Sequence, residues 1–284
     1  MTKFLTIFTP TFNRAYILSK LYNTLKNQSN KNFIWLIVDD GSSDETKTLV
    51  QKFQDENQIE IHYIFQENKG KHVAVNNGLR NTKTEFFCVI DSDDYLAVNA
   101  VDEMERLSHK IRNDDQIAGF TFIRFSDKTV FDKEKYGKRE WIVCGRAKYD
   151  WEFPGEMIYC YKTKIHQQFY FPEFQGEKFC SESLIHRRIG RKYKILFTDK
   201  VLAFGDYLED GLSNDFYKLL LKNPQGSLLN IKERFHDKLS QEERLNLAKT
   251  YWDIVSKTNR PFTEKFFGIN PLLILRVVIN KHKK

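Results

Sequence analysis

The chain has 284 residues, 41% of them hydrophobic and 29% charged, with a formal net charge of +7 at pH 7. That size fits one large domain, or one domain with appendages, with a sizeable buried core. The composition is that of an ordinary soluble globular protein, and no stretch approaches the roughly 20 apolar residues of a membrane span. The charge is uneven: residues 1–115 hold 14 Lys+Arg against 17 Asp+Glu, whereas residues 116–284 hold 31 against 21. The basic excess therefore lies in the C-terminal part, where it suits phosphates, anionic lipid or a plain solvated surface. The four cysteines, Cys88, Cys144, Cys160 and Cys180, form no CxxC pair, and none stands at metal-ligand spacing from a histidine. Free thiols in a reducing compartment are expected. The N-terminal apolar stretch is too short for a signal peptide and lacks a cleavage site.

Residues 4–9 form a short apolar run, expected as a buried strand ended by Pro10. A helix follows with Leu18, Leu21, Tyr22 and Leu25 on one face. Residues 33–38 make a second apolar strand that runs into the turn Asp39-Asp40-Gly41. Ser42 stands three residues before Glu45, the spacing of a capping box for the next helix, whose apolar stripe is Leu49, Val50 and Phe53. A third strand is expected at 59–65, a helix at 71–81, a fourth strand at 86–90 and a helix at about 99–112. This alternation predicts an α/β fold with a mostly parallel central sheet flanked by helices. Beyond residue 115, strands are expected at 117–125, 156–161, 194–198 and 201–207, and a helix at about 181–192. The final 70 residues read as mainly helical, which places a boundary near Asn214: a catalytic domain at 1–213, divided at 115, and a helical extension at 214–284.

Sheets of this kind place ligand sites beyond the carboxyl ends of their strands, and four polar motifs sit at those ends. Asp91-Ser92-Asp93-Asp94 gathers three carboxylates in four residues. Such groups repel one another, and a hard divalent cation such as Mg²⁺ or Mn²⁺ resolves the repulsion; the plain alternative is a solvated turn capping the helix at 99–112. Asp39-Asp40-Gly41-Ser42-Ser43-Asp44 offers a carboxylate to a base or ribose, or simply turns and caps. Thr9-Pro10-Thr11-Phe12-Asn13-Arg14 offers backbone groups to a nucleotide and Arg14 to a phosphate, or an Asn cap. Asn68-Lys69-Gly70-Lys71-His72 combines a glycine turn with lysines near phosphates, with Asn76 and Asn77 beyond.

Together with Ala74-Val75-Asn76-Asn77-Gly78, these motifs make residues 1–115 closely resemble the N-terminal half of family 2 glycosyltransferases, the large inverting family with the GT-A fold. The resemblance covers roughly 40% of the chain and continues more weakly to about residue 213. It implies a nucleotide-sugar pocket lined by Pro10, Thr11, Asn13 and Arg14, with Asp40 at the base and Gly70, Asn76, Asp91 and Ser92 also on the nucleotide. It implies Mn²⁺ or Mg²⁺ held by Asp93, with Asp91 and Asp94 near ribose, sugar or metal. It implies a general base at the start of a helix about six residues before an Arg. Glu182 fits that place, six residues before Arg188, with Ser181 able to cap the helix. The usual acidic pair is replaced here by Ser181-Glu182, and Glu177 is the rival base. Asp210 and Ser213, in the polar stretch 206–213, fall where family members close the site against acceptor or diphosphate.

The reaction so implied is a single displacement from a nucleotide-diphosphate sugar, with UDP preferred, onto a glycan or lipid-linked glycan of a surface polysaccharide. Residues 257–284 carry seven Lys+Arg against one Glu and the run Pro271–Ile279. They suit a peripheral position on the inner face of the membrane, or a terminal helix docked on the rest of the chain. A sugar nucleotidyltransferase would carry a Gly-rich basic loop after the first strand, where this chain has Thr-Pro-Thr-Phe-Asn-Arg. A non-catalytic nucleotide-sugar-binding protein would need neither an intact acidic motif nor a base. No nucleic-acid recognition motif is present.

Overall fold

The computed structural model describes residues 3–125, 140–144, 156–205, 215–259, 261, 263–266 and 268–282. The first part alternates as β1 (Leu5–Thr11), α1 (Ala15–Lys26), β2 (Phe33–Asp39), α2 (Thr46–Asp55), β3 (Ile61–Phe65), α3 (Lys71–Arg80) and β4 (Phe86–Val89). Then come β5 (Asp94–Leu96), α4 (Ala100–Ile111), β6 (Ile117–Phe125), β7 (Glu140–Cys144), β8 (Glu156–Lys162), α5 (Thr163–His166), α6 (Ser183–Lys192), β9 (Lys194–Thr198) and β10 (Val201–Gly205). The rest is helical: α7 (Phe216–Lys222), α8 (Pro224–Arg234), α9 (Gln241–Val255), a 3-10 turn at Thr263–Phe266 and α10 (Pro271–His282). The elements β5 and α5 carry too few residues to show a period in the sequence, and β7 is not expected from it.

Among the described residues, ten strands share one sheet in the order β3-β2-β1-β4-β8-β6-β10-β5, with β9 pairing β6 and β7. The first four strands run parallel, each reached through a crossover helix, so their carboxyl ends lie along one edge. β8 enters antiparallel between β4 and β6. The second half of the sheet is therefore mixed. β1 is buried along its whole length, which is why it reads as an apolar run rather than an alternation.

Pro10 does not end β1; the strand continues to Thr11. Ile90 donates to the Phe8 carbonyl on the β4 side, whereas Asp40 donates to the Thr11 carbonyl on the β2 side. Pro10 therefore presents its missing N–H to the β4 side, where pairing has already stopped at Phe8–Val89. The core beneath β1 and β2 holds Trp35, stacked with Tyr22 and Phe53, and its indole N–H is satisfied by Thr9 Oγ1 at 3.0 Å. Cys88, Cys160 and Cys180 are buried.

The chain divides into two compact units, Met1–Phe171 with Ile185–Glu209, and Pro172–Leu184 with Asp210–Lys284. The first is the sheet and its helices. The second packs α8, α9 and α10 around Leu228, Ile231, Ala248, Tyr251, Ile254 and Ile274. Ser240 opens α9 with a complete capping box to Glu243. No helix among the described residues is long and apolar enough to cross a membrane.

His166 is a buried imidazole set edge-on to Phe87 and Tyr161, and its Nδ1 has no hydrogen-bond partner among the described residues. Burial pushes its pKa down to about 3. Above the ordinary histidine range the ring is neutral folded or unfolded, so it adds no pH dependence there. Below about 6.5 the unfolded chain takes up a proton that the folded one refuses, and stability falls as pH falls. Urea unfolding should show a loss of about 2 kcal/mol between pH 6.5 and 5 from this side chain alone. That part of the acid slope should vanish in His166→Phe.

Candidate active site

The β1 and β2 loops are clasped together. The Asn13 N–H donates to Ser42 Oγ at 2.8 Å, and Ser43 N donates back to Asn13 Oδ1 at 2.8 Å. Asn13 adopts the left-handed region, φ 52°, which short amide side chains tolerate. Ser42 is therefore not the helix cap its spacing predicts. Asp44 takes that place: one oxygen accepts from Thr46 N and Oγ1 at the start of α2, the other from Ala15 N at the start of α1. One carboxylate thus serves two helix N-termini, where a negative charge is favoured. Burial works to raise its pKa, but these bonds hold it below the usual carboxylate range.

The two aspartates after β2 organise what surrounds them. Asp39 accepts from Ser42 N at 2.8 Å and from the Tyr63 hydroxyl at 2.6 Å. Asp40, also buried, accepts from Gln66 Nε2, Lys69 N and Gly70 N at 2.7–2.9 Å. A carboxylate has about four acceptor positions, and on Oδ2 only one is taken by these bonds. Gly70, at φ 95°, lets the chain turn into α3 while its N–H points at Asp40. Thr11 Oγ1, at the end of β1, is buried with no hydrogen-bond partner among the described residues. Arg14 reaches the Tyr16 hydroxyl and lies over that ring.

The acidic turn follows β4. Asp91 pairs with Lys71 Nζ at 2.7 Å, from the first turn of α3. Ser92 is buried. Asp94 opens β5 and pairs with Arg124 Nε of β6 at 2.5 Å, where both side chains are below a tenth exposed. Burial and the neighbouring charges of Asp91 and Asp93 push Asp94 up to about 7, against the pull of Arg124, while Asp94 and Glu156 keep Arg124 firmly charged. The short contact to a permanent cation keeps Asp94 ionised despite its burial. Asp93 is raised by burial first and by Asp91 second, with Arg14 and Arg124 opposing. The turn does not cap α4, whose N-cap is Asn99 and whose first-turn acids are Asp102 and Glu103.

This donor set fits a hard divalent cation. Asp91 and Asp93 are close enough to repel, and burial has raised Asp93, so a cation between them would relieve both effects. Among the described residues no three His, Cys, Asp or Glu are placed to hold a metal ion together; two carboxylates suffice where a diphosphate completes the sphere. Asp94 Oδ1 is paired with Arg124, as Asp91 Oδ2 is with Lys71.

Two further expectations need correcting. Asn76 is 1% exposed, and its amide is clasped to the Phe171 backbone in both directions, at 2.9 and 2.8 Å. It anchors the loop that follows α5. In the second unit, buried Glu177 accepts from Gln225 N and Gly226 N at 2.6 and 2.9 Å. Those N–H groups are orphans of the first turn of α8, so Glu177 is a helix cap and a poor base. Glu182, in the same unit, is exposed, one residue before α6. Ser181 Oγ meets Ser183 Oγ rather than a backbone N–H. Arg188 lies on α6 within the sheet unit. Asp210 and Ser213 lie outside the described residues.

Sequence reasoning passed over Arg124 because it sits in the apolar run Ile117–Phe125; the one signal was a charge with no visible partner in a buried strand. It passed over Gly205 as well. A Cβ there would lie 2.2 Å from Asp94 Oδ1 and 2.6 Å from an Arg124 nitrogen, so a side chain at this position would displace the pair from its present geometry. Arg124→Met should cost roughly 3–5 kcal/mol, because it strands a buried carboxylate. Adding Asp94→Asn to it should recover a large part, as read by urea unfolding of the two variants.

Residues 6–173 match the model of the family described as Glycosyl transferase family 2, which takes in more than half of the chain. The GalNAc(5)-diNAcBac-PP-undecaprenol beta-1,3-glucosyltransferase of Campylobacter jejuni is 27% identical over 233 residues, 76% of this chain and 71% of that one. Among solved structures, S. aureus TarS superposes with a TM-score of 0.63 at 18% identity, over 98% of this chain and 54% of TarS. The chain thus spans about half the length of TarS. The mannosyltransferase PcManGT of Pyrobaculum calidifontis, solved with GDP-Man and Mn²⁺, gives 0.57 at 14% identity, over 98% of this chain and 84% of that one. These likenesses establish a GT-A fold with a helical C-terminal region. By its family match, its strand-end motifs and its fold, this chain belongs to glycosyl transferase family 2.

Proposed function

We propose that the chain moves a sugar, with inversion, from a UDP-sugar to a glycan or lipid-linked glycan acceptor in surface polysaccharide synthesis. The observation that carries this reading is the acidic turn after β4. Lys71 and Arg124 engage its outer carboxylates, and Asp93 between them is raised by burial and by Asp91. The acceptor class follows the undecaprenol-linked glycan in the name of the Campylobacter relative. The nucleotide follows the family resemblance and the UDP and UDP-GlcNAc complexes of TarS 1–349. GDP is the alternative, from the PcManGT complex.

The buried Thr11 hydroxyl and the open position on Asp40 Oδ2 would receive the nucleoside. Arg14 and Lys71 would meet the diphosphate. Asp91 and Asp93 would hold Mn²⁺ or Mg²⁺, which supplies charge stabilisation to the departing nucleotide diphosphate. Glu182 would take the proton from the acceptor hydroxyl as its oxygen bonds the anomeric carbon and the bond to the diphosphate breaks. The enzyme would work on the cytoplasmic face of the membrane, held there peripherally.

Calorimetry with UDP and GDP, with and without Mn²⁺, tests the donor half. UDP should bind in a metal-dependent way, and Asp93→Ala should weaken it by roughly ten- to a hundredfold. A protein that binds neither nucleotide with metal present would refute the assignment. Glu182→Gln should bind UDP as the native protein does but lose roughly 10²–10⁴ in kcat. An equal loss in Glu177→Gln, without any fall in Tm, would move the base to Glu177.

A further inference from the structure

The last helix of the second unit has two apolar faces, and only one of them is used inside the protein. Ile274 and Val277 are buried in the helical core, with Leu273 and Val278 packed against it. Leu272, Leu275 and Ile279 point outward, at 70%, 50% and 45% exposed. Spacings of three and four residues put these three on one stripe of α10. Arg276, also exposed, lies beside the stripe. Asn270 starts the helix by accepting from Leu272 N at 3.0 Å, with Pro271 next, so the stripe is presented from a defined first turn.

Charge selects what covers it. After Glu264 the sequence contains no acidic residue, while Lys265, Arg276, Lys281, Lys283 and Lys284 follow. Two copies of this chain meeting stripe to stripe would bring like charges together, and an acidic apolar surface would not. The helix has 12 residues, about 18 Å at 1.5 Å per residue, too short to cross a hydrocarbon core of about 30 Å. A helix that is apolar on its outer face, flanked by cations and too short to span, lies in the plane of an anionic membrane surface.

We infer that α10 is a membrane-surface docking element, with Leu272, Leu275 and Ile279 inserted among the acyl chains of an anionic leaflet and the basic flank on its headgroups. This deepens the peripheral placement proposed above. It assigns the anchoring to one exposed stripe, not to the basic tail as a whole.

The test is cosedimentation of the full chain with vesicles rich in phosphatidylglycerol or made of phosphatidylcholine alone. Three proteins are compared: native, the triple variant L272N/L275N/I279N, and R276Q. The native chain should pellet with anionic vesicles and scarcely with neutral ones, less so as salt rises. The triple variant should lose roughly a hundredfold or more in partition, and R276Q only several-fold. Because the three positions are exposed, the variant should keep the native Tm and the native affinity for UDP. Equal pelleting of native and triple variant would overturn the inference, as would indifference to lipid charge. A native dimer in solution that the triple variant turns into a monomer would overturn it too, making a second copy the occupant. Metal-dependent UDP binding without vesicle binding would sink the docking and leave the donor reading standing. Vesicle binding without UDP binding would do the reverse.

Discussion

Three carboxylates crowded at the end of one strand are the constraint around which the sheet unit is organised. Left alone they would repel one another and swell the turn. The molecule answers with cations from two directions: Lys71 from α3 on Asp91, and Arg124 from β6 on Asp94. The second answer reaches deep into the fold. A buried pair is tolerable only with close geometry, and the facing position of β10, Gly205, leaves it the room. An interaction that begins as local repulsion thereby ties β5, β6 and β10 to one another.

The same logic runs through the loops after β1 and β2, whose polar groups mostly serve each other. Asp39 and Asp40 fix the turns around Ser42 and Gly70, Asp44 serves two helices, and Asn13 locks one loop to the next. Such a rim is set before any ligand arrives, and preorganised groups lose little entropy on binding. Thr11 Oγ1 is buried in that rim with no partner among the described residues.

How much of this was legible depended on range. The alternation of apolar strands and helices through residue 111 is local, and so are the motifs after each strand; both were readable from spacing. What spacing cannot reveal is a partner far along the chain. Asn76 stands in a polar motif, yet its amide answers to Phe171, 95 residues away. Glu177 looks like a base until Gln225, 48 residues on, claims its carboxylate. Ser42 has capping-box spacing, but an N–H from the β1 loop competes for its hydroxyl. Arg124 was hidden for the opposite reason, as a charge inside an apolar strand whose partner arrives from a turn 30 residues earlier.

The cap that Glu177 places on α8 has a bearing on how such enzymes diversify. The family match stops at residue 173, and the second compact unit begins at Pro172. The segment that carries Glu177 and Glu182 therefore belongs by packing to the C-terminal helices, although the sheet unit resumes after it with Ile185. A chain cut at residue 213 would leave that segment without α8 to cap. Exchange of the C-terminal helices between relatives is thus not a matter of a single crossover point. The insert at 172–184 and the tail would have to travel as a matched set, like two halves of one key cut from separate places on the gene.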